Sequence, residues 1–335
     1  MSQNTSRRIE TTHGRYDVAI VGGGAAGLSA ALVLGRARRR VVVIDAGTPR
    51  NAPAAHIQGF LGSDGVAPAD LLARGRCEVA EYGVAEIAGT VARLSCGAGT
   101  AASPQSVHGF QLALADGSVI ETRAILVTTG LADQLPTIPG VSERWGRDVL
   151  PCPYCHGWEV RDRPLGVLAG EPTPLEETLT HAHLIRQWSD DVVLFANGIA
   201  LTAAQRERLV ARAIGIVEEP VVSLAADEDH LTGVVLGAGR FVPRAALFVR
   251  PRFVPNDTLL TDLGCVVGES GWVRVDPTGA TSVPGVWAAG NATNPRAQVI
   301  TAAGEGSAAA IAINNALVEH DVPAAVTSFR LGLPI

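Results

Sequence analysis

The sequence predicts an α/β fold composed of two domains, and two observations support this. A run of apolar residues, Tyr16–Val21, leads directly into a glycine-rich turn at 22–27, a helix of small residues and a second apolar strand, Val41–Ile44. Strands that alternate with helices in this way are typical of parallel sheets covered by helices. The chain has 335 residues, which is enough for about two domains, each with its own core.

Composition and charge exclude several classes of protein. With 27 basic and 33 acidic residues, the net charge is −6, which gives no electrostatic basis for binding nucleic acid or an anionic membrane. The N-terminal dozen residues are polar and lack the apolar core of a secretory signal. No apolar run reaches the ~20 residues that cross a bilayer. Five cysteines are an odd and sparse set, so we expect a cytoplasmic protein rather than a secreted disulfide scaffold.

The glycine-rich turn predicts a dinucleotide site. In the spacing G-x-G-x-x-G, Gly22 allows the tight turn, Gly24 lets the backbone approach a pyrophosphate, and Gly27 lets helix and strand pack closely. Ala25 belongs to the same fingerprint, and Asp45 ends the second strand at the usual reach to a ribose hydroxyl. The acid favours an unphosphorylated ribose, so this motif predicts FAD or NAD rather than NADP. A glycine-rich turn without a ligand is the alternative.

Two later segments favour FAD. A strand near 124–128 runs into a Thr-Gly turn, and a strand near 285–289 ends in a small-residue turn before an Ala-rich helix that we expect to run to about Leu317. Separated segments that converge on one site suit the long FAD molecule, and a helix N-terminus beside the flavin would stabilise its anionic reduced ring. The residues that we expect to contact it are Thr129, Gly130, Gly290, Asn291, Gln298 and Val299.

Between these segments, Phe110–Ile120 alternates apolar and polar residues around Asp116 and Gly117. This pattern predicts a β-hairpin, and the Asp-Gly pair predicts a type I′ turn. We expect the hairpin to be an insert in the first domain.

The chain also carries a Cys-x-x-Cys pair, Cys152 and Cys155, followed directly by His156. Two thiols at this spacing can close a small disulfide ring, and a helix N-terminus or a nearby base lowers a thiol pKa from about 8.5 toward about 7. Beside a flavin, such a pair becomes a two-electron relay. Zinc binding is the alternative, but the sequence has no second pair at ligand spacing, and we expect no metal site.

These motifs, in this order, resemble those of the low-molecular-weight thioredoxin reductases from about residue 15 to 320. The resemblance implies two Rossmann-like three-layer domains. A discontinuous FAD-binding domain would span 15–133 and 252–325, and an inserted, degenerate NAD(P)-binding-like domain at 134–251 would carry the redox cysteines. A homodimer is also implied. The family usually has Asp at the position of Asn291, where an amide can still bond the cofactor without bringing a charge.

The inserted domain departs from that family where a nicotinamide cofactor would bind. After the strand Leu165–Leu168, Glu171 replaces the second fingerprint glycine and Pro174 stands at the helix start. We expect Glu171 to be a buried-facing charge that opposes pyrophosphate binding. After the strand Val192–Phe195, residues 196–198 include none of the arginines that hold an NADP ribose phosphate. We therefore expect the nicotinamide site to be lost.

With His156 where thioredoxin reductases carry Asp, the chain looks like a sub-family, the FAD-dependent dithiol oxidases of disulfide natural-product pathways such as those of gliotoxin and holomycin. Arg50 and Asn51 lie in a turn that also looks like that group and implies further FAD contacts. The resemblance implies a small-molecule dithiol as substrate and dioxygen as the electron acceptor. It also implies that Cys152 is the sulfur attacked by the substrate and that Cys155 lies nearer the flavin. The pKa of histidine, near neutral pH, suits His156 to remove the proton of the substrate thiol.

Two other functions stay open at this point. One is a disulfide reductase that uses ferredoxin, or NADPH bound in an atypical pose. The other is a flavin-binding regulator without catalytic activity.

For the remaining cysteines and for three further histidines, the sequence indicates no catalytic role. We expect buried, inert thiols at Cys77, Cys96 and Cys265. We expect His181 and His183 to be surface or interface residues, and His56 could approach a flavin although nothing in the sequence requires it.

Overall fold

The structure, a computed structural model, describes residues 15–96, 109–171 and 173–332. The N-terminal dozen residues, for which no secretory signal is expected, lie outside the described residues. The chain divides into two compact units. The first comprises the chain up to Pro49, Leu72–Leu131 and the chain from Pro255 onward, and the second comprises Arg50–Leu71 and Ala132–Val254. The predicted domain bounds stay a prediction. The boundaries between the units near 131 and 254 lie within a few residues of the predicted bounds, but residues 50–71 group with the second unit.

Strands and helices alternate at the start of each unit, and runs of strands follow. The strands are β1 (Tyr16–Val21), β2 (Val41–Asp45), β3 (Ala85–Ala88), β4 (Val91–Cys96), β5 (Phe110–Leu114), β6 (Val119–Val127), β7 (Leu131–Gln134), β8 (Val149–Leu150), β9 (Leu165–Leu168), β10 (Val192–Phe195), β11 (Ile214–Val217), β12 (Val221–Asp227), β13 (His230–Leu236), β14 (Phe241–Pro243), β15 (Ala246–Val249), β16 (Arg252–Pro255) and β17 (Val286–Ala288). The α-helices are α1 (Ala25–Arg36), α2 (Pro68–Ala80), α3 (Pro153–His156), α4 (Leu175–Ile185), α5 (Ala203–Ala211), α6 (Thr258–Asp262) and α7 (Val299–Arg330).

The first unit is built on a mixed sheet. Within the described residues its strands run in the order β3-β2-β1-β6-β5-β4, with β17 also paired to β6. The strands β3, β2, β1, β6 and β17 are mutually parallel, whereas β4, β5 and β6 form an antiparallel meander. Because successive side chains of a strand point to opposite faces, Val18 and Ile20 pack in one core while Ala19 and Val21 pack in another. The predicted buried strand at 16–21 is confirmed.

The predicted hairpin forms, but its turn is not type I′. A type I′ turn needs positive φ at both central residues, and Asp116 does not have it, whereas Gly117 has φ of 87°. The amide of Gly117 instead donates to Leu114 O, and the amide of Leu114 donates to Ser118 O. This is a three-residue loop in which Gly117 takes the left-handed position after an ordinary turn.

Helix α7 packs along α1 and is longer than the sequence predicts. A Cβ at Gly306 would overlap the carbonyl oxygen of Ala26, so the two helices approach at backbone distance. The helix does not end near Leu317 but continues to Arg330 with Pro323 inside it. Near its end, Asp321 forms ion pairs with Arg39 and Arg123, and these hold the additional turns.

The second unit is built on a parallel sheet, as a Rossmann-like domain requires. Among its described residues the strand order is β11-β10-β9-β15-β8, and each neighbouring pair is parallel. An antiparallel sheet, β12-β13-β14, packs against it through a shared apolar cluster. The strands β7 and β16 form a small two-stranded sheet. The predicted α/β class is confirmed.

No helix of the described residues is both long enough and apolar enough to cross a membrane.

Candidate functional site

The fingerprint glycines lie where the parallel strands of the first sheet end. Gly22 has φ of 109°, and a Cβ there would lie 2.5 Å from the carbonyl oxygen of Thr128. A Cβ at Gly27 would overlap the carbonyl oxygen of Gly22. The Thr128 hydroxyl donates to Gly22 O at 2.8 Å, which fixes the turn to the end of β6. Glycine is therefore required at 22 and 27 by the fold itself.

Two helix N-termini in this unit are open to an anion. Gly24 is the N-cap of α1 and Gln298 is the N-cap of α7; neither caps with its side chain, and neither helix has an acid in its first turn. A Cβ at Gly24 would meet nothing within 4 Å, so this glycine leaves space rather than relieving a clash. Unsatisfied amides and a positive helix end attract phosphate. The residues at the start of α1 fit a dinucleotide pyrophosphate.

Asp45 is held beside the glycine turn. Its carboxylate accepts from Arg76 at 2.8 Å, and a Cβ at Gly23 would lie 2.8 Å from the carboxylate. Arg76 also bonds Glu86 at 2.6 Å. This ion-pair chain positions the Asp45 carboxylate at the end of β2, where a ribose would lie in a dinucleotide site.

The Gly290–Asn291 turn is tied to α7. Glu305 accepts from the Gly290 amide at 2.9 Å and from the Asn294 side chain at 2.6 Å. The side-chain nitrogen Nδ2 of Asn291 donates to Asn294 O at 2.9 Å and to Ala297 O at 3.0 Å. A carboxylate could not donate either bond. This accounts for Asn, rather than the acid usual in the resembling family, at position 291.

Thr129 and Gly130 join the end of β6 to the segment that returns from the second unit. The Thr129 hydroxyl donates to Asn256 O at 2.6 Å, and the Asn256 amide donates to Gly130 O at 3.0 Å. The predicted cofactor residues of the first unit therefore lie on adjacent parallel strand ends or at the start of α1 and α7. Their individual contacts with FAD stay predictions.

Arg50 and Asn51 belong to the second unit, where Arg50 is firmly anchored. Its guanidinium makes a bidentate pair with Asp133, at 2.8 and 2.7 Å, and lies over the Phe253 ring at 4.9 Å. Its positive charge acts on both Cys152 and Cys155. The predicted contact of Arg50 and Asn51 with FAD stays a prediction.

The two redox cysteines meet at the start of α3. Cys152 is the N-cap, Pro153 occupies the first turn, and the two sulfur atoms lie 2.9 Å apart as thiols. A hydrogen bond from the Cys155 thiol, helped by the amides of Cys155 and Tyr154 and by the charge of Arg50, lowers the pKa of Cys152 to about 7. The same hydrogen bond, together with burial, raises the pKa of Cys155. In the reduced pair, Cys152 is therefore the thiol that ionises first, while Cys155 keeps its proton.

His156 follows the pair directly and is partly buried. Burial lowers the pKa of its imidazole, and the nearby Glu159 carboxylate only partly opposes this. A lowered pKa keeps the ring neutral near pH 7, which is the form that accepts a proton.

The corresponding helix start in the second unit carries two acids in its first turn. Glu176 and Glu177 lie in the first turn of α4, and Glu177 accepts from Arg250 at 2.9 Å. Glu171 is exposed, so the expectation of a buried-facing charge there is wrong; the turn after β9 carries it into solvent. Asn197 accepts from the Val221 amide at 2.8 Å, which is a structural role. Among the described residues, no cluster of three or more His, Cys, Asp or Glu side chains could hold a metal ion.

Three of the structural interpretations made from the sequence are wrong. Cys77 and Cys96 are exposed, whereas Cys265 is buried as expected. His181 is not a surface residue: it is only 4% exposed and packs edge-on against Phe248 at 6.0 Å. It lies on the buried face of α4 with Thr178, Leu179, Ala182 and Ile185, a helical spacing that the sequence contains. His183 is partly exposed and His56 is exposed.

Comparisons with known proteins agree with this geometry. The profile of the pyridine nucleotide-disulphide oxidoreductase family matches residues 16–306. The chain belongs to this family. Thioredoxin reductase sirT of Leptosphaeria maculans is 30% identical over 322 residues, which are 92% of this chain and 96% of that protein. The crystal structure of HlmI is similar with a TM-score of 0.90 and 51% identity, covering 96% of this chain and 99% of that one.

A partial match points the same way. The probable thioredoxin reductase of Arthroderma benhamiae is 34% identical over 189 residues, 55% of this chain. That match spans 44% of the relative's length. Membership of the pyridine nucleotide-disulphide oxidoreductase family confirms the thioredoxin reductase-like fold, the oxidoreductase class and FAD as the cofactor.

Sequence reasoning missed several residues that position candidate functional residues within each unit. Thr128 had a usable signal, because Val127 pairs with Val21 in parallel register and the next residue must flank the Gly22 turn. The sequence contains no comparable signal for Asp133 or Glu305. Each acts through a partner distant in the chain, Arg50 and Gly290 respectively, and no local pattern marks them.

Proposed function

We propose that this chain is an FAD-dependent dithiol oxidase that closes a disulfide in a small-molecule dithiol and uses dioxygen as the electron acceptor. The observation that carries the proposal is the contrast between helix N-termini. Those of α1 and α7 are uncapped and free of acids, whereas α4 begins with Glu176 and Glu177, the latter paired with Arg250. The acids in the first turn of α4 oppose binding of a nicotinamide pyrophosphate there, which supports thiols as the source of electrons.

The resting enzyme holds Cys152 and Cys155 as a disulfide. A substrate thiolate attacks the Cys152 sulfur, which breaks the enzyme disulfide and releases Cys155 as a thiolate. The second substrate thiolate attacks the substrate sulfur bound to Cys152, closing the product disulfide and releasing Cys152. The substrate loses two electrons and two protons, and the enzyme pair gains the electrons.

Two local features promote these steps. The lowered pKa of Cys152 makes it a good leaving group in the second step, because low-pKa thiols leave faster. The neutral imidazole of His156 takes a proton from the substrate thiol. FAD, held by the residues at the start of α1 and α7, would supply the two-electron chemistry that returns Cys152 and Cys155 to the disulfide.

Oxygen consumption with dithiothreitol tests the proposal. We expect steady uptake by the FAD-bound protein and none by Cys152→Ser or Cys155→Ser, each with FAD retained. Cys77→Ser is the matched control, because Cys77 is exposed and lies on α2 in the first unit. Uptake that survives both substitutions would exclude the dithiol route, and uptake only with an added electron carrier would favour a reductase.

We also propose that the protein is a homodimer whose other partners are the dithiol and dioxygen. Light scattering of the purified protein tests the dimer; a monomer would remove this proposal without touching the chemistry.

A further inference from the structure

The carboxylate of Glu305 holds two donors of the loop that joins β17 to α7. Glu305 is partly buried in the second turn of the helix, and one of its oxygens accepts from the Gly290 amide at 2.9 Å. The other oxygen accepts from the side-chain nitrogen of Asn294 at 2.6 Å. Gly290 is buried, so its amide would lose its acceptor without Glu305, and a buried donor without an acceptor costs free energy. Glu305 therefore anchors the loop to the helix that follows it.

Asn294 connects the rest of this loop to that carboxylate. Its side-chain oxygen accepts from the Arg296 amide at 3.0 Å, and its backbone amide donates to Gly290 O at 2.9 Å. Its carbonyl oxygen accepts from the side chain of Asn291 at 2.9 Å and from the Ala297 amide at 3.1 Å. The loop is therefore held closed by bonds that converge on Asn294, whose side chain is fixed in turn by the carboxylate.

Both ends of the loop, residues 290–298, lie where the fold places the cofactor. The loop begins at the end of β17, which is parallel to β6, and ligands of parallel α/β sheets bind beyond the carboxyl ends of the strands. It ends at Gln298, the N-cap of α7, after which the first amides of the helix have no acceptor within the helix. The conformation of the loop therefore sets where these amides lie relative to the end of β17.

We propose that Glu305 is a positioning residue for FAD, a role that does not depend on which thiol the enzyme oxidises. Its carboxylate acts through Gly290 and Asn294 and holds the loop 290–298 in the conformation that binds the cofactor. A loop that is ordered before binding raises the affinity, because the cofactor does not have to order it. Glu305 needs no contact with FAD to act in this way.

The donors and acceptors of this arrangement are matched, so they can be exchanged in pairs. Glu305→Gln offers one acceptor to the two donors. Rotating the Asn294 amide does not repair this, because its nitrogen would then face the Arg296 amide, which is also a donor. Asn294→Asp places two carboxylates side by side, which gives two acceptors of like charge. In the double variant, the new amide oxygen accepts from Gly290 and the new amide nitrogen donates to the new carboxylate.

Release of FAD from the diluted holoprotein, followed by flavin fluorescence, gives its dissociation constant. We expect each single variant, Glu305→Gln and Asn294→Asp, to raise this constant about tenfold or more, the scale of one hydrogen bond to a charged group. The double variant should return to within about threefold of wild type, because the two positions are coupled. Glu319→Gln is the matched control: it makes the same substitution at an exposed position of α7 and should leave the constant unchanged.

A comparison with stability separates positioning from a purely structural role. The dissociation constant is measured well below the unfolding temperature, where a loss of stability alone leaves it unchanged, and denaturant unfolding of each variant gives the stability. Normal FAD affinity in Glu305→Gln, with or without reduced stability, would overturn the proposal, as would a double variant that binds FAD no better than either single variant. If a single variant is purified without FAD, the double variant decides: bound FAD supports the proposal, and its absence contradicts it.

Discussion

The Cys152 thiol lies where several groups favour its ionised form. The Cys155 thiol and two backbone amides donate to it, and the anchored Arg50 guanidinium adds a positive charge. Arg50 was predicted to contact FAD, but its bidentate pair with Asp133 and its stacking on Phe253 also place a fixed cation near the dithiol. This arrangement makes Arg50 a positioning residue for thiolate chemistry.

Alkylation of the reduced protein measures this effect. We expect the rate at which iodoacetamide modifies Cys152 to rise with pH through a midpoint near 7, because only the thiolate reacts. Arg50→Met removes a cation that stabilises the thiolate, so the midpoint should move to higher pH. Arg206→Met is the control: Arg206 lies on α5 and pairs with Glu218, so its loss should leave the midpoint unchanged. A midpoint that is the same in Arg50→Met and the wild type would rule out the electrostatic role.

His156 provides a second prediction at this scale. His156→Ala should slow dithiol oxidation roughly 10²–10⁴-fold, the usual loss for a positioned base. Because burial lowers the pKa of His156, the wild-type rate should fall as pH falls through that pKa. The deficit of the variant should shrink at high pH, where substrate thiols ionise unaided. His183→Ala is the control. An FAD-bound His156→Ala with normal turnover near pH 7 would mean that another group is the base.

Helix α7 shows how one element both builds the core and fixes the cofactor turn. Its Gly306 meets the backbone of Ala26 on α1, and one residue earlier Glu305 holds the Gly290 amide. The sequence correctly predicted an Ala-rich helix after the strand near 285–289. Its end was predicted thirteen residues too early, counting from Leu317 to the observed last residue Arg330, because the ion pairs of Asp321 with Arg39 and Arg123 join residues far apart in the chain.

Two glycines of α7 provide a matched pair of substitutions. Gly306→Ala should lower the free energy of unfolding by about 1–3 kcal/mol or more, because the new methyl group overlaps Ala26 O and the helices must separate. Gly304→Ala meets nothing within 4 Å and should be neutral or stabilise by up to ~1 kcal/mol through helix propensity. Denaturant unfolding and the temperature of FAD release measure both. Equal stability of the two variants would contradict the close helix contact.

The buried His181 makes the stability of α4 depend on pH. Burial, aided by the charge of Arg250, lowers the pKa of His181 to about 3, from 6.5. Between these values the unfolded chain binds a proton that the folded chain excludes, so stability rises with pH across this window and is fully present above about 6.5. The slope is about 1.4 kcal/mol per pH unit.

Comparison of two histidine variants isolates this contribution. His181→Gln should lose this pH dependence, so that the difference in unfolding free energy from wild type changes by about 2 kcal/mol between pH 7 and pH 5. His183→Gln, two residues away on the same helix but partly exposed, should change it much less. Parallel pH profiles for wild type and His181→Gln would mean that the ring is protonated in the fold.

At the scale of the whole molecule, the sequence correctly predicted the features that are specified by neighbouring residues in the chain. The β1–turn–α1 unit, the strand ending in Asp45 and the dithiol on α3 all follow from residues adjacent in the chain. What it missed depends on tertiary contacts: residues 50–71 group with the second unit, Asp133 anchors Arg50, and α4 buries His181. The turn at Gly117 was mispredicted because an Asp-Gly pair is compatible with more than one hairpin loop.

The N-termini of α1 and α7 carry no acid in their first turns, whereas that of α4 carries two. This difference leads to a prediction for the complete flavoprotein. We expect about one FAD per chain, because the strand ends of the first unit converge with the open N-termini of α1 and α7. Under anaerobic conditions, micromolar NADPH or NADH should leave the flavin absorbance unchanged, since Glu176 and Glu177 place negative charge where a pyrophosphate would bind to α4. Millimolar dithiothreitol should bleach it, and dithionite should bleach it fully, which shows that the flavin is reducible. Rapid bleaching by NADPH would mean that the acids of α4 do not exclude the nucleotide, and the reductase function would then replace the oxidase.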